Sequence, residues 1–127
     1  QTMLGRIEEW RMWVLCDREP IADWSKGRVT LLGDAAHPML QYLAQGAGMA
    51  LEDSLCLAKC LDEAESVEAA LAAYSRARYL RTGRVQLTAR LYGEFYHADG
   101  VRRELRNAFV KNASYEALAW LYDPQPD

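Results

Sequence analysis

The apolar positions of this chain change their spacing near residue 46. Before that point they come in short runs. Trp13-Val14-Leu15-Cys16 is a β-prone run broken by Asp17-Arg18-Glu19-Pro20. Pro20 has no N–H to give to a ladder, so a strand ends before it. Trp24-Ser25-Lys26-Gly27 reads as a turn, and Arg28 to Leu32 as a second strand stopped by Gly33. Val29, Leu31 and Leu32 leave no clean alternation, as in a strand covered on both faces. Ahead of both strands, Leu4 to Trp10 reads as the middle and close of a helix.

From Gly46 the period lengthens. Ala50, Leu51, Leu55, Ala58 and Leu61 recur at helical spacing, and the pattern fades at Asp62-Glu63. Ser66 is the N-cap expected for the next helix, with Glu68 in its first turn. Leu71, Tyr74, Ala77, Leu80, Leu87, Leu91 and Phe95 carry that helix onward. Gly83 and Gly93 lie inside it, each costing about 1 kcal/mol relative to alanine, and mark places for a bend or break. Ala98-Asp99-Gly100 is a turn, Val101 to Val110 a third helix, and Ser114 caps a short last one ending at Tyr122. Asp123-Pro124-Gln125-Pro126 reads as a tail. The expected fold class is an α/β fragment, mostly helical: two short strands, then three to four α-helices. Two strands do not make a stable sheet by themselves. Their partners are therefore expected in sequence outside this chain or in another copy.

Composition narrows the functions. The chain has 127 residues, a net charge of −3 and a pI of about 5.4. That balance gives no electrostatic reason for a nucleic acid or an anionic membrane as partner. The basic residues between Arg76 and Arg106 are interrupted by acids and apolar residues, the pattern of a solvated helix face. Cys16, Cys56 and Cys60 make an odd set without a disulfide framework, and no secretory pattern opens the chain. Both favour a reducing cytoplasm. No apolar run approaches the ~20 residues of a membrane span. The chain starts at Gln1, within what reads as a helix, so a piece of a longer protein is expected.

The chemistry concentrates in GRVTLLGDAAHPMLQYLAQGAGMALED, Gly27 to Asp53. Asp34 follows a strand end, where an acid can accept hydrogen bonds from ligand hydroxyls, as in nucleotide folds. Gly33 allows close backbone approach. Gly46, Ala47 and Gly48 open a helix, where unpaired N–H groups and the positive dipole end favour an anion or an atom gaining negative charge. A structural reading stands beside this one: Gly46 and Gly48 for tight packing, Asp34 capping a turn. The dinucleotide fingerprint does not fit, because its third small position falls on Leu51 and the strand-to-helix segment is too long.

GDAAHP followed by QGAGMALED resembles the second flavin-binding signature of the FAD-dependent aromatic hydroxylases, the single-component flavoprotein monooxygenases. The nearest branch is that of 3-hydroxybenzoate 6-hydroxylase, salicylate hydroxylase and 6-hydroxynicotinate 3-monooxygenase. Likeness extends from DREP, Trp24 and GRVTLL to WLYD at Trp120 to Asp123. The resemblance implies a C-terminal segment of such an enzyme, with its strands drawn from a larger Rossmann-like FAD-binding fold. It implies residues 1–25 as the tail of a substrate-domain sheet, 26–62 as the end of the FAD-binding domain, and 63–127 as a helical region. Asp34 would accept from the ribityl hydroxyls, with Gly33 beside it. Gln45, Gly46, Ala47, Gly48 and Met49 would face the pyrimidine end of the isoalloxazine. Pro38 and Gln41 would lie near the reactive edge, where a small phenolic or hydroxybenzoate-like substrate docks. NADH or NADPH would reduce the flavin, and O2 would form a C4a-hydroperoxide that hydroxylates the ring. A helix N-terminus aimed at the charged edge of reduced flavin suits that chemistry. The FAD-binding remainder of the protein would be the main partner. The segment alone is expected to bind FAD weakly and to be inactive. Two alternatives stay open: a helical interaction module without flavin, and a piece that self-associates, for example as a homodimer, through its unpartnered strands.

Other residues carry weaker signals. His37 reads as a residue that shapes the loop, with general-base chemistry as the lesser alternative. His97 reads as structural. Cys56 and Cys60, four apart on a helix, read as buried inert thiols rather than zinc ligands. Trp10, Trp13, Trp24 and Trp120 read as core. Arg18 has Asp17, Glu19 or the flavin as candidate partners. Tyr92, Phe95 and Tyr96 form an aromatic cluster expected to pack between helices of this chain.

Overall fold

The computed structural model describes residues 3–122. The Asp123 to Pro126 tail lies outside them. A two-stranded antiparallel hairpin comes first: β1 (Ser25–Lys26) pairs with β2 (Val29–Thr30), Ser25 opposite Thr30 and Lys26 opposite Val29. Short 3-10 turns at Gly33–Ala35 and Gln41–Leu43 lead into α1 (Gly46–Glu63). Then follow α2 (Val67–Tyr96), α3 (Gly100–Val110) and a closing 3-10 helix, Tyr115–Leu121.

Three expectations need correction. The helix over Leu4 to Trp10 reduces to one 3-10 turn, Leu4–Arg6. Trp13 to Cys16 forms no strand, and Trp13 is 78% and Val14 82% exposed. A strand needs a neighbour to take its N–H and C=O groups, and among the described residues none lies beside this run. Trp10 and Trp13 are therefore surface residues here, not core. Finally, Ser25-Lys26 is itself a strand. It folds back on Val29-Thr30 across Gly27-Arg28, and the Leu31 N–H reaches Trp24 O at 3.2 Å. The second strand is thus shorter than expected, and Val29 and Leu31 are exposed rather than covered.

The helices follow the pattern closely. Ser66 caps α2 with its side chain, accepting the Ala69 N–H at 3.2 Å. α2 runs unbroken for 30 residues, so neither internal glycine bends it. Each is instead a place of close approach. A Cβ at Gly83 would lie 3.3 Å from Pro20, and one at Gly93 would lie 2.5 Å from the Tyr42 ring. The segment before the hairpin is fastened to α2 nearby. Arg90 pairs with Asp17 and Glu19, and Gln86 donates to Arg18 O at 3.2 Å.

α1 and α2 form a helical hairpin with two cores. One is Trp24, Ala36 and Tyr74, backed by Cys56, Leu57 and Cys60. The other is Leu43, Met49, Val85, Ala89 and Leu121, backed by Met39, Leu40 and Tyr92. The aromatic cluster packs within the chain as expected. Tyr92 meets Tyr96, Phe95 meets Phe109 of α3, and Tyr42 lies against both Tyr96 and His97. The His97 Nδ1 lies 2.8 Å from Gly93 O, a structural contact. Among the described residues no helix is long and apolar enough to cross a membrane.

Candidate functional site

The site is built on a turn and a helix end, joined by a buried acid. Gly33 adopts φ +59°, a left-handed conformation suited to glycine. Its side toward α1 is also full, since a Cβ there would meet Ala50 Cβ at 3.2 Å. The chain then tightens: the Ala36 and His37 N–H groups both donate to Gly33 O at 2.9 Å.

Asp53, on α1 and 0% exposed, receives this turn at both ends. Its Oδ2 accepts the Gly33 N–H at 3.1 Å and meets His37 Nε2 at 2.5 Å. Its Oδ1 accepts Arg78 Nε at 2.8 Å. Arg78 also donates to Glu52 at 2.7 Å and to Met49 O at 3.4 Å. Arg81 grips both oxygens of Glu52 and donates to the carbonyls of Trp120 and Leu121 at 3.2 Å each. Two acids of α1 and two arginines of α2 therefore lock the helical hairpin and hold the chain's last helix. Beside them, Arg84 stacks on the Trp120 ring at 3.7 Å.

Burial pushes the Asp53 carboxyl upward, but the hydrogen bonds from His37 and Arg78, the charge of His37 and the Gly33 amide outweigh it. The group is held below its ordinary range. Glu52 behaves likewise: burial raises it, Arg81 and Arg78 lower it, and the net direction is down. Tyr74 is pushed up, first by burial and then by the Asp53 charge.

His37 is 1% exposed, and its Nδ1 has no partner among the described residues. With Nε2 against a carboxylate, that nitrogen carries a proton and donates to Asp53. His37 therefore shapes the loop, as the structural reading has it, and is not presented to a ligand. Arg18 takes neither neighbouring acid; it donates to Ala35 O at 2.8 Å and to Ala36 O.

Asp34 stands between the two tied ends of the turn. It is exposed, and no side chain or amide among the described residues bonds its carboxylate. Its Oδ1 lies 3.7 Å from where a Gly46 Cβ would sit, at the mouth of α1. Met49 is the first residue of α1 whose N–H closes a helical bond, to Gln45 O at 2.9 Å. The Gly46, Ala47 and Gly48 amides before it have no helical acceptor. Gln45 precedes them without capping them, its Oε1 3.3 Å from the position of a Gly48 Cβ. Met49 itself is fully buried in the core. Pro38 is half-buried, its carbonyl accepting Gln86 Nε2 at 2.9 Å. Gln41 is exposed and opens the 3-10 turn Gln41–Leu43. The fold thus brings Gly33, Asp34 and the Gln45–Gly48 helix start together. Pro38 and Gln41 belong to the loop between them.

Sequence reading quoted Asp53 as the end of ALED without giving it a role, and it missed Glu52, Arg78 and Arg81 as a network. A signal was present: two adjacent acids on one helix, and two arginines three apart on the next.

An unpaired carboxylate beside an uncapped, glycine-lined helix start offers acceptors for hydroxyls and free amides for negative charge at one place. The chain belongs to the FAD binding domain family, which matches its residues 1–88. It is similar to 3-hydroxybenzoate 6-hydroxylase 1 of Aquipseudomonas alcaligenes, 47% identical over 126 residues, 95% of this chain and 32% of that protein. Among solved structures it is similar to Klebsiella pneumoniae HpxO complexed with FAD and uric acid, with TM-score 0.66 and 30% identity over 80% of this chain and 26% of the other. A salicylate hydroxylase substrate complex gives TM-score 0.64 and 34% identity over 90% of this chain and 31% of the other. The likeness to aromatic hydroxylases read from the motif therefore holds along most of the chain. The chain spans about a third of the length of the curated relative it matches, 32%.

Proposed function

We propose that this chain supplies the ribityl- and isoalloxazine-facing part of the FAD site in a monooxygenase that hydroxylates a small phenolic or hydroxybenzoate-like compound. The observation that carries the proposal is the Asp34 carboxylate, unpaired and exposed, beside the open start of α1. A carboxylate accepts from hydroxyls, and three free amides at a helix start favour negative charge. The residues present therefore fit the group.

Asp34 would accept from the ribityl hydroxyls, and Gly33 keeps the turn bulk-free. The Gly46, Ala47 and Gly48 amides would face the pyrimidine edge, where Gln45 borders them and Met49 anchors the helix in the core. Bound FAD would supply the activation of O2, with NADH or NADPH as the source of electrons. Pro38 and Gln41 would border the aromatic substrate. The neighbouring apolar Met39, Leu40 and Leu43 help keep water from that side.

In the full gene product, Asp34→Ala is expected to raise the FAD dissociation constant about tenfold, the worth of a hydrogen bond to a charged group. Its melting temperature should hold, because Asp34 has no internal partner to lose. An unchanged constant, measured by flavin fluorescence quenching, overturns the proposal. The 127-residue chain alone is expected to bind FAD weakly and to turn nothing over. Turnover by it with NADH and a phenolic acid would refute that part.

A further inference from the structure

We infer that Asp53 is a positioning residue for the flavin grip, tying both ends of the turn that carries Asp34 to the helix whose open amides Asp34 faces. This rests on the FAD reading above.

Gly33 N–H and His37 Nε2 converge on the same oxygen of Asp53, at 3.1 and 2.5 Å. Asp34 stands between them in sequence and makes no bond that would hold it independently. The turn has its own closure as well, with two amides returning to Gly33 O. It is thus a small rigid loop, held from upstream by Arg18 at the Ala35 and Ala36 carbonyls and tied to α1 by one side-chain anchor, Asp53. That anchor lies on α1, two helical turns beyond Gly46, a rise of about 10 Å. A helix does not stretch over that distance, so the point where Asp53 holds the turn sets how far Asp34 sits from the Gly46–Gly48 amides. Arg78, on the other oxygen at 2.8 Å, keeps the carboxylate ionised away from water. Asp53 is 0% exposed and cannot touch a ligand. Any effect it has on FAD must pass through what it holds.

A purely fold-stabilising ion pair makes a different prediction. Its loss lowers the folded fraction but leaves FAD affinity in that fraction unchanged, and any residual effect simply adds to that of Asp34→Ala. A double-mutant cycle separates the two. In the full gene product, apoprotein is titrated with FAD by fluorescence quenching. Asp34→Ala and Asp53→Asn are each expected to raise the dissociation constant about tenfold, and the double variant also about tenfold, because once Asp34 is gone there is nothing left to position. A roughly hundredfold rise in the double variant, or an unchanged constant for Asp53→Asn, overturns the inference. A wild-type constant for Asp34→Ala removes the FAD reading itself, and the inference with it. If Asp53→Asn yields no folded protein, His37→Ala takes its place, since it frees one end of the turn and leaves the Asp53–Arg78 pair intact. A severalfold loss that requires Asp34, and that His37→Gln restores by returning an N–H donor, supports the inference. Equal loss in both His37 variants overturns it.

Discussion

The run from Trp10 to Leu15 and the block from Gly33 to Asp53 are both rich in apolar residues, yet they end in opposite states. The first lies exposed and unpaired, with Met12, Trp13 and Val14 all on the surface. The second buries Ala36, His37, Leu43, Met49 and Asp53, although its first part has only short 3-10 turns for secondary structure. Apolar content does not separate them. The second block has neighbours, namely α2 along one side and a carboxylate that takes the Gly33 amide and the His37 ring. A loop with little regular structure becomes well defined once most of its buried polar groups are claimed.

The strongest way to break this contrast is to remove the carboxylate's charge. Asp53→Asn leaves the buried Arg78 with Glu52 as its one remaining carboxylate and should cost about 3 kcal/mol by denaturant unfolding. Arg78→Met should cost a similar amount. Both acids of the lock are held below their ordinary range. Their stabilisation is therefore fully present above about pH 5 and lost as pH falls through the folded-state values. A denaturation series from pH 6 to 3 should show that acid slope in the native chain and a flatter one in Asp53→Asn. Equal slopes would mean the lock contributes little.

A smaller effect tests packing rather than charge. Gly93→Ala places a methyl group 2.5 Å from Tyr42 Cε2 and 2.9 Å from Cδ2, and should cost about 1–3 kcal/mol. Tyr42→Phe should give no relief, because ring carbons and not the hydroxyl occupy the space. A neutral Gly93→Ala would show that the Tyr42 ring moves freely. The smallest effect belongs to the exposed arm. Trp13→Ser should change the stability of this chain by no more than about 0.5 kcal/mol. A larger loss would mean that the arm is packed after all, and the contrast between the two regions would fall.

Local signals in the chain were enough for α1 and α2, though not for the stretch from Leu4 to Trp10. Ser66 with Glu68, and apolar residues at three and four spacing, describe α1 and α2 to within a residue or so, because a helix satisfies its backbone within itself. The signature GDAAHP with QGAGMALED was legible as a flavin-type site through its resemblance to the aromatic hydroxylases, whereas the glycines alone left a structural reading open. Strands were not legible in the same way. Trp13 to Cys16 has the composition of one, but a strand exists only if another strand accepts its hydrogen bonds.

The sequence alone determined the two long helices and the family of the site, because helix signals and the signature both lie between residues close in the chain. Tertiary structure alone decided that Asp53 would anchor the Gly33–His37 turn and pair with Arg78, and that Gly83 and Gly93 would admit Pro20 and Tyr42 rather than bend α2. Those contacts join residues far apart along the chain. Whether an acid is buried and paired or left in water depends on what the fold brings to it, which no local pattern encodes.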